Sequence, residues 1–231
     1  MSVQDVFPHT VVHVFGIPIR DTVLQSLFMV IVLGVLVYIV RSRYKAFEID
    51  TWQALVEWLV EYVEDLVRST SGQAMPQTIP FLTTLIVFVG LGSLLSLLPG
   101  LQAPTRDINT TAALSCVALG SWIYFGVKAK GVGGYLHSYL EPVALLLPLN
   151  ILSTVSRLFA MALRLFGNVI SGEIISAVIF MLVPVAAPLP FNLLGMVTSV
   201  LQAIVFTVLT LVFIADAIGE DDTAGEVVTE V

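Results

Sequence analysis

The feature that most constrains the fold is a set of charged and polar residues inside a long apolar segment. Between Arg157 and Glu173 the chain reads RLFAMALRLFGNVISGE, which places Arg164 and Asn168 within an apolar run. An arginine at the centre of a membrane helix costs about 2.5–3.5 kcal/mol on insertion scales, so such residues face a bundle interior or a water-filled path. Arg164 is therefore a candidate functional residue.

The spacing of these residues predicts a polar stripe on one helix. Arg157 lies seven residues before Arg164 and Asn168 lies four residues after it, so the three share one face. Glu173 lies nine residues after Arg164, roughly half a turn round the helix and about 13 Å along it. Arg164 and Glu173 are therefore predicted not to form a simple salt bridge.

The composition is that of an integral membrane protein. Of 231 residues, 57% are apolar and only 12% are charged, whereas about a quarter of the residues of soluble domains are charged. The net charge of −7 argues against a nucleic acid partner. Cys116 is the only cysteine, so no internal disulfide is expected, and no spacing in the chain predicts a metal site or a cofactor.

The hydropathy pattern predicts an all-α polytopic membrane protein. The five predicted spans are 23–40, 78–98, 110–127, 141–183 and 191–218. Residues 48–68 carry apolar and acidic stripes at helical spacing, which predicts an amphipathic surface helix that does not cross. We treat 23–218 as one membrane domain between an external tail, 1–22, and an acidic cytoplasmic tail, 219–231.

The basic residues predict the orientation of the chain. Three of them follow the first span directly, so its C-terminal end is predicted to be cytoplasmic. With five spans, the N-terminus is then outside and the C-terminus inside. The residues placed inside are Arg41, Arg43, Lys45, Arg68, Lys128 and Lys130, against Arg20 and Arg106 outside. Asn109 is predicted to cap the third span.

Two apolar segments are too long to cross a membrane upright. Residues 141–183 would form a helix of about 64 Å, against a hydrocarbon core of about 30 Å. The segment either breaks into two spans near Gly167 or forms one strongly tilted or curved helix, bent near Pro148. Residues 191–218 repeat the problem, with Gln202 as a lone polar residue near the middle. A proline-rich turn joins the two segments, which predicts an oblique hairpin.

Several motifs resemble the a subunit of rotary F-type ATP synthases. The most specific are LRLFGN at 163–168, followed by Gly172 and Glu173, and LQAIVFTVLT at 201–210. PTRDINTT at 104–111 and KGVGG at 130–134 also match, and the similarity covers roughly 23–218. The resemblance implies a stator subunit of the membrane Fo sector, with an amphipathic surface helix and a tilted hairpin against a ring of c subunits. It favours one tilted helix in each long segment.

The resemblance implies roles for residues at matching positions. Arg164 matches the arginine that faces the essential carboxylate of each c subunit, and Gln202 matches a glutamine near it on the last helix. Asn168 and Glu173 match polar residues linked to two aqueous half-channels. Many bacterial relatives have a histidine where this chain has Gly195, so Glu173 is expected to relay alone or with water.

Further residues are assigned to the ion pathway by position and charge. Asp107 and Asn109 belong to the connection before the third predicted span. Glu141 or Asp216 is expected to serve the cytoplasmic mouth, whereas Glu173 is expected to serve the periplasmic half-channel.

The second arginine of the stripe is expected to have a different role. Arg157 lies about 10 Å nearer the cytoplasmic end than Arg164, where its long side chain can reach head groups or water. It is expected to serve folding or assembly more than coupling.

The expected partners are the c-subunit ring, the peripheral-stalk b subunits and the rest of the F1Fo complex. Membrane lipid surrounds the chain, and H+ or Na+ is the translocated ion. No catalysis is expected of the subunit alone, and the short, Arg-poor N-terminus favours a bacterial plasma membrane. The alternative function is an autonomous ion channel or secondary transporter, because buried charge near mid-membrane also marks substrate sites.

Overall fold

Six helices make up most of the computed structural model, which describes residues 10–14, 17–43, 51–72, 75–95, 103–140, 147–182 and 188–219. The helices are α1 Asp21–Arg43, α2 Thr51–Ser71, α3 Ile79–Leu95, α4 Ile108–Leu140, α5 Leu147–Leu182 and α6 Pro188–Gly219. A short antiparallel hairpin, β1 Thr10–Val14 and β2 Ile17–Arg20, precedes α1. The all-α membrane fold class is confirmed, and the hairpin is an addition within the predicted external tail.

Four helices are long and apolar enough to cross a membrane, judged by length and composition. These segments are Thr22–Ile39, Ile108–His137, Leu147–Leu182 and Pro190–Gly219. α3 contributes a shorter apolar segment, Ile79–Leu94. All five overlap the predicted spans, whose number of crossings and orientation stay predictions. Of the predicted acidic tail, 219–231, only Gly219 belongs to the described residues, as the last residue of α6.

The main core lies where α2, α3, α5 and α6 meet. Its most deeply buried side chains are Val63 and Val67 of α2, Leu82 and Val89 of α3, Leu165 of α5, and Phe206 and Leu211 of α6. α2 buries only one face there, and Glu57 and Glu61 on another face are exposed. α2 is therefore an amphipathic helix whose apolar face is bound to the bundle.

The N-terminus of α4 corrects one prediction. Asp107, and not Asn109, caps the helix, because the Asp107 carboxylate accepts a hydrogen bond of 2.9 Å from the backbone N–H of Asn109. The Asp107 carbonyl also accepts the first helical hydrogen bond, from the N–H of Thr111 at 3.1 Å. Asn109 lies inside the first turn, so the predicted cap at that residue is wrong.

The C-terminal part of α4 folds back on the bundle at a kink. Gly131 has φ 75° and ψ 163°, a combination that glycine adopts far more readily than other residues. Beyond this kink Tyr135 is buried against Trp122, Ile214 and Ala217. A Cβ added at Gly126 would lie only 2.6 Å from the Tyr135 ring, so the close approach requires glycine there. The helix thus continues past residue 127, where the third predicted span ends.

α5 and α6 are long helices that pack against each other. α5 has 36 residues and passes Gly167 without interruption, so the single-helix alternative is the one observed. At 1.5 Å per residue it is about 54 Å long. Because a hydrocarbon core measures about 30 Å, α5 lies within the core along its whole length only when it is strongly tilted.

Candidate functional site

Two contacts determine the register of α5 against α6. The guanidinium carbon of Arg157 lies 5.0 Å from the ring centroid of Phe213. Further along α5, Asn168 Nδ2 donates a hydrogen bond of 3.4 Å to Ser199 Oγ. Because residue numbers rise along α5 while they fall along α6, the two helices are antiparallel.

This register brings Arg164 and Gln202 to a similar height in the hairpin. Arg164 lies four residues before Asn168, and Gln202 lies three residues after Ser199, so each is one turn from the same hydrogen bond. The two displacements are about 6 Å and about 4.5 Å, in the same direction. The packing therefore brings two predicted site residues that are distant in sequence to a similar height.

Arg164 is exposed on the surface of α5. The exposed part of α5 also carries large apolar side chains, among them Phe159 and Leu163, which are 59% and 53% exposed. Among the residues that the structure describes, no carboxylate or other hydrogen-bond acceptor contacts the Arg164 side chain. A charge on such a surface is costly in a membrane, so Arg164 requires a partner that this part of the chain does not supply.

Gln202 carries the second unsatisfied polar group at this height. Its Nε2 is buried and has no hydrogen-bond partner within the described ranges. Leaving a buried donor unsatisfied costs about 1–3 kcal/mol, so water or an external group is expected to bind it. Together with Asn168 and Ser199, Gln202 forms a polar strip along the contact between α5 and α6.

Arg157 has a different environment from Arg164. Its guanidinium carbon lies 5.9 Å from the ring centroid of Trp122 on α4 and 5.0 Å from that of Phe213 on α6. Cation–π contacts contribute about 0.5–2 kcal/mol each. Arg157 therefore connects three helices inside the bundle.

The carboxylate of Glu173 is paired near the other end of α5. Its Oε2 lies 4.0 Å from Nη1 of Arg106, which belongs to a 3₁₀ turn, Pro104–Arg106, between α3 and α4. The Arg106 side chain is 1% exposed and that of Glu173 is 25% exposed. The sequence placed Arg106 in the charge balance and in the PTRDINTT motif but gave it no site role, because a contact between residues 67 positions apart leaves no periodic signal.

Asp107, next to Arg106, joins this region to α1. Its Oδ2 accepts a hydrogen bond of 3.0 Å from Thr22 Oγ1, and its Oδ1 accepts one of 3.0 Å from Asn109 Nδ2. Asp107 is 3% exposed, whereas Asn109 is exposed. These two predicted pathway residues thus lie together with Arg106 at one end of the bundle.

The residues predicted for the cytoplasmic mouth are far from this cluster. Asp216 is exposed near the C-terminal end of α6, at the opposite end of the hairpin from Glu173. Glu141 lies outside the described residues. Gly195 lies at about the height of Glu173, and a Cβ added there would meet no atom within 4 Å.

Comparison with known proteins gives a family. The profile of the family described as ATP synthase A chain matches residues 22–215. A protein of Acaryochloris marina named ATP synthase subunit a 2 is 38% identical over 195 residues, 83% of each chain. Its namesake from a Bradyrhizobium strain is 41% identical over 170 residues, 74% of this chain and 76% of the relative.

A longer match covers almost the whole chain. The ATP synthase subunit a of Legionella pneumophila is 29% identical over 218 residues, 94% of this chain and 95% of the relative. These matches confirm the resemblance inferred from the LRLFGN and LQAIVFTVLT motifs. The chain, a membrane protein, therefore belongs to the ATP synthase A chain family.

Proposed function

We propose that the protein is the stator subunit a of a rotary ATP synthase and couples transport of H+ or Na+ to rotation of a c-subunit ring. The observation that carries the proposal is Arg164, an exposed arginine on a long apolar helix with no partner among the described residues. Membership of the family makes the ATP synthase complex its assembly. A carboxylate of the ring would be the missing partner of Arg164.

Arg164 supplies a fixed positive charge. A guanidinium stays protonated at any accessible pH, so Arg164 does not itself carry the ion. An opposite charge within about 4–6 Å favours the ionised form of a carboxyl group. A ring carboxylate that reaches Arg164 therefore releases its ion, and rotation brings the next one.

The same charge separates two half-channels. Glu173 and Asp216 lie near opposite ends of the α5–α6 hairpin, and Arg164 lies between them. Glu173 is assigned to the outer half-channel, Asp216 or Glu141 to the inner one, and Asn168 and Gln202 to the polar path beside Arg164. An ion that crosses 100 mV releases about 2.3 kcal/mol, so a leak past Arg164 would dissipate the drive for synthesis.

The exposed face around Arg164 is the proposed contact with the ring. It presents apolar side chains of both helices, including Phe159, Leu163 and Leu201. A ring of apolar helices would cover this face and bring its carboxylates to the arginine. The b subunits and the rest of F1Fo complete the assembly in a bacterial plasma membrane, with the N-terminus outside and the C-terminus in the cytoplasm.

The test is ion-driven ATP synthesis by the whole complex in vesicles, corrected for assembled complex. Arg164→Ala is expected to abolish synthesis, because no other arginine or lysine in the described part of the chain lies at that depth of the hairpin. Arg164→Lys keeps the charge but loses the planar guanidinium, so we expect it to fail as well. The control is Arg68→Ala, because Arg68 is exposed and pairs with Glu64 at 2.7 Å on the same helix. Such exposed pairs contribute about 0.3–0.5 kcal/mol.

Two outcomes would contradict the proposal. One is coupled synthesis by Arg164→Ala at the parental rate. The other is ion flux through the purified chain alone, without a ring, which would favour an autonomous channel.

A further inference from the structure

Arg106 has the largest side chain among the fully buried ones in the described part of the chain. All three residues of its 3₁₀ turn are buried, and the turn contacts α1, α3, α4 and α5. A buried charge is unfavourable unless it is paired, so a guanidinium at this depth calls for a nearby carboxylate. Glu173 provides one at 4.0 Å.

The two members of this pair differ sharply in exposure. The Arg106 side chain is 1% exposed, whereas that of Glu173 is 25% exposed. The guanidinium is therefore enclosed by the bundle, while the carboxylate keeps access to its surroundings. In this pair the bundle fixes the position of the Arg106 guanidinium, and the guanidinium in turn holds the Glu173 carboxylate.

Asp107 anchors the segment that carries Arg106. Its carboxylate accepts a hydrogen bond of 3.0 Å from the hydroxyl of Thr22 in α1 and one of 2.9 Å from the backbone N–H of Asn109 in α4. Since residue 107 is tied to two helices, the position of the adjacent Arg106 is determined by the fold and not by Glu173 alone.

α6 has a glycine at about the corresponding height. Gly195 lies four residues before Ser199, and Glu173 lies five residues after Asn168, so the register places them about level. Glycine has no side chain to orient a carboxylate. The buried Arg106 is the cationic group that the structure brings to Glu173.

We propose that Arg106 is the positioning residue for Glu173 in the outer half-channel. Its guanidinium holds the carboxylate in one place and orientation, so that ions approaching from outside meet a preformed acceptor. Arg106 does not carry the ion, because it stays protonated. The inference rests on the proposed function of the chain.

The test is a double-mutant cycle on the whole complex in vesicles, with rates of ion-driven synthesis per assembled complex. The variants are Arg106→Gln, Glu173→Gln, the double variant and Arg106→Lys. Each single glutamine is expected to slow synthesis roughly tenfold, and the double variant is expected to be no slower than Glu173→Gln alone, because coupled residues are not additive. Arg106→Lys should recover part of the rate, since it keeps the charge.

The matched control is the exposed pair Arg68 and Glu64, 2.7 Å apart, changed to glutamine singly and together. These variants are expected to keep the parental rate. Two results would overturn the proposal. One is synthesis at the parental rate by Arg106→Gln, and the other is a loss of rate in the double variant that equals the product of the two single losses.

Assembly is measured in the same experiment. If Arg106→Gln alone fails to assemble, the double variant still tests the proposal, because it also removes the carboxylate that Arg106→Gln leaves without its guanidinium. Failure of the double variant to assemble while Glu173→Gln assembles would overturn the proposal, since Arg106 would then serve the fold independently of Glu173. Coupled synthesis by Arg164→Ala in the same vesicles would instead refute the proposed function.

Discussion

At the scale of single residues, three arginines have three environments. Arg164 is exposed on an apolar helix, Arg157 lies between aromatic rings, and Arg106 is buried beside a carboxylate. The same side chain can therefore present charge to a partner, join helices or hold an acid. The surroundings of each guanidinium decide which of these roles it serves.

Arg157→Ala is expected to lower the amount of assembled complex while each assembled complex keeps near-parental synthesis. The change removes contacts with Trp122 and Phe213, which contribute about 0.5–2 kcal/mol each. Quantitative immunoblots of purified complex, combined with synthesis rates, separate the two effects. Arg164 makes no such contact in the described part of the chain. Arg164→Ala should therefore leave the amount of assembled complex near the parental level and abolish synthesis. If Arg157→Ala instead loses synthesis and Arg164→Ala instead lowers the amount of assembled complex, the two roles are exchanged.

Glu173→Gln is expected to slow coupled transport without opening a leak. The variant removes the carboxylate that we propose for the outer half-channel but leaves the positive charge of Arg164 in place. Passive ion flux under an imposed membrane potential, in vesicles with the ring locked, measures the leak directly. A large passive flux would contradict the assignment, because the barrier would then depend on Glu173.

At the scale of elements, the backward fold of α4 depends on one backbone conformation. Gly131→Ala places a Cβ on a residue with φ 75° and ψ 163°, a strain of about 1–3 kcal/mol. We expect less assembled complex and a lower temperature of inactivation. Gly120→Ala is the control within the same helix, because a Cβ there meets no atom within 4 Å. It should be neutral or slightly stabilising; equal losses in both variants would contradict the explanation.

The start of α4 depends on its cap. Asp107→Ala removes the acceptor for the backbone N–H of Asn109 and for the hydroxyl of Thr22, and loss of a cap alone costs about 1 kcal/mol. Asp107→Asn keeps a carbonyl oxygen at that position, so it should assemble better than Asp107→Ala. The yield of assembled complex measures this difference. Equal yields would show that the carboxylate charge, and not the cap, is what α4 requires.

At the scale of the whole molecule, the helix order predicts on which side of the membrane each end of the bundle lies. In a background with Cys116→Ser, a cysteine replaces either Asn109, in the first turn of α4, or Asp216, near the end of α6. Both positions are exposed. An impermeant thiol reagent is expected to label Asn109→Cys from outside and Asp216→Cys from inside, in right-side-out and inverted vesicles. Labelling of both from one side would contradict the predicted orientation.

The sequence by itself determined the membrane class, the approximate positions of the helices, apart from the extension of α4 past residue 127, and the family resemblance. Helix length, apolar runs and charge placement are local properties, and every backbone polar group in a bilayer must be satisfied within the protein. Arg164 was identifiable for the same reason, since a charge inside an apolar run is visible without a structure. The sequence left open whether the segment around Gly167 breaks or continues.

Tertiary structure decided which side chains meet. The pair of Arg106 and Glu173, the hydrogen bond from Thr22 to Asp107 and the aromatic contacts of Arg157 all join residues that are distant in sequence, so they depend on packing. Such contacts follow from helix register and from backbone turns such as that at Gly131, and neither leaves a period in the sequence. The sequence therefore shows that a charge lies inside an apolar run, but only the packing of the helices shows whether that charge is buried and what balances it.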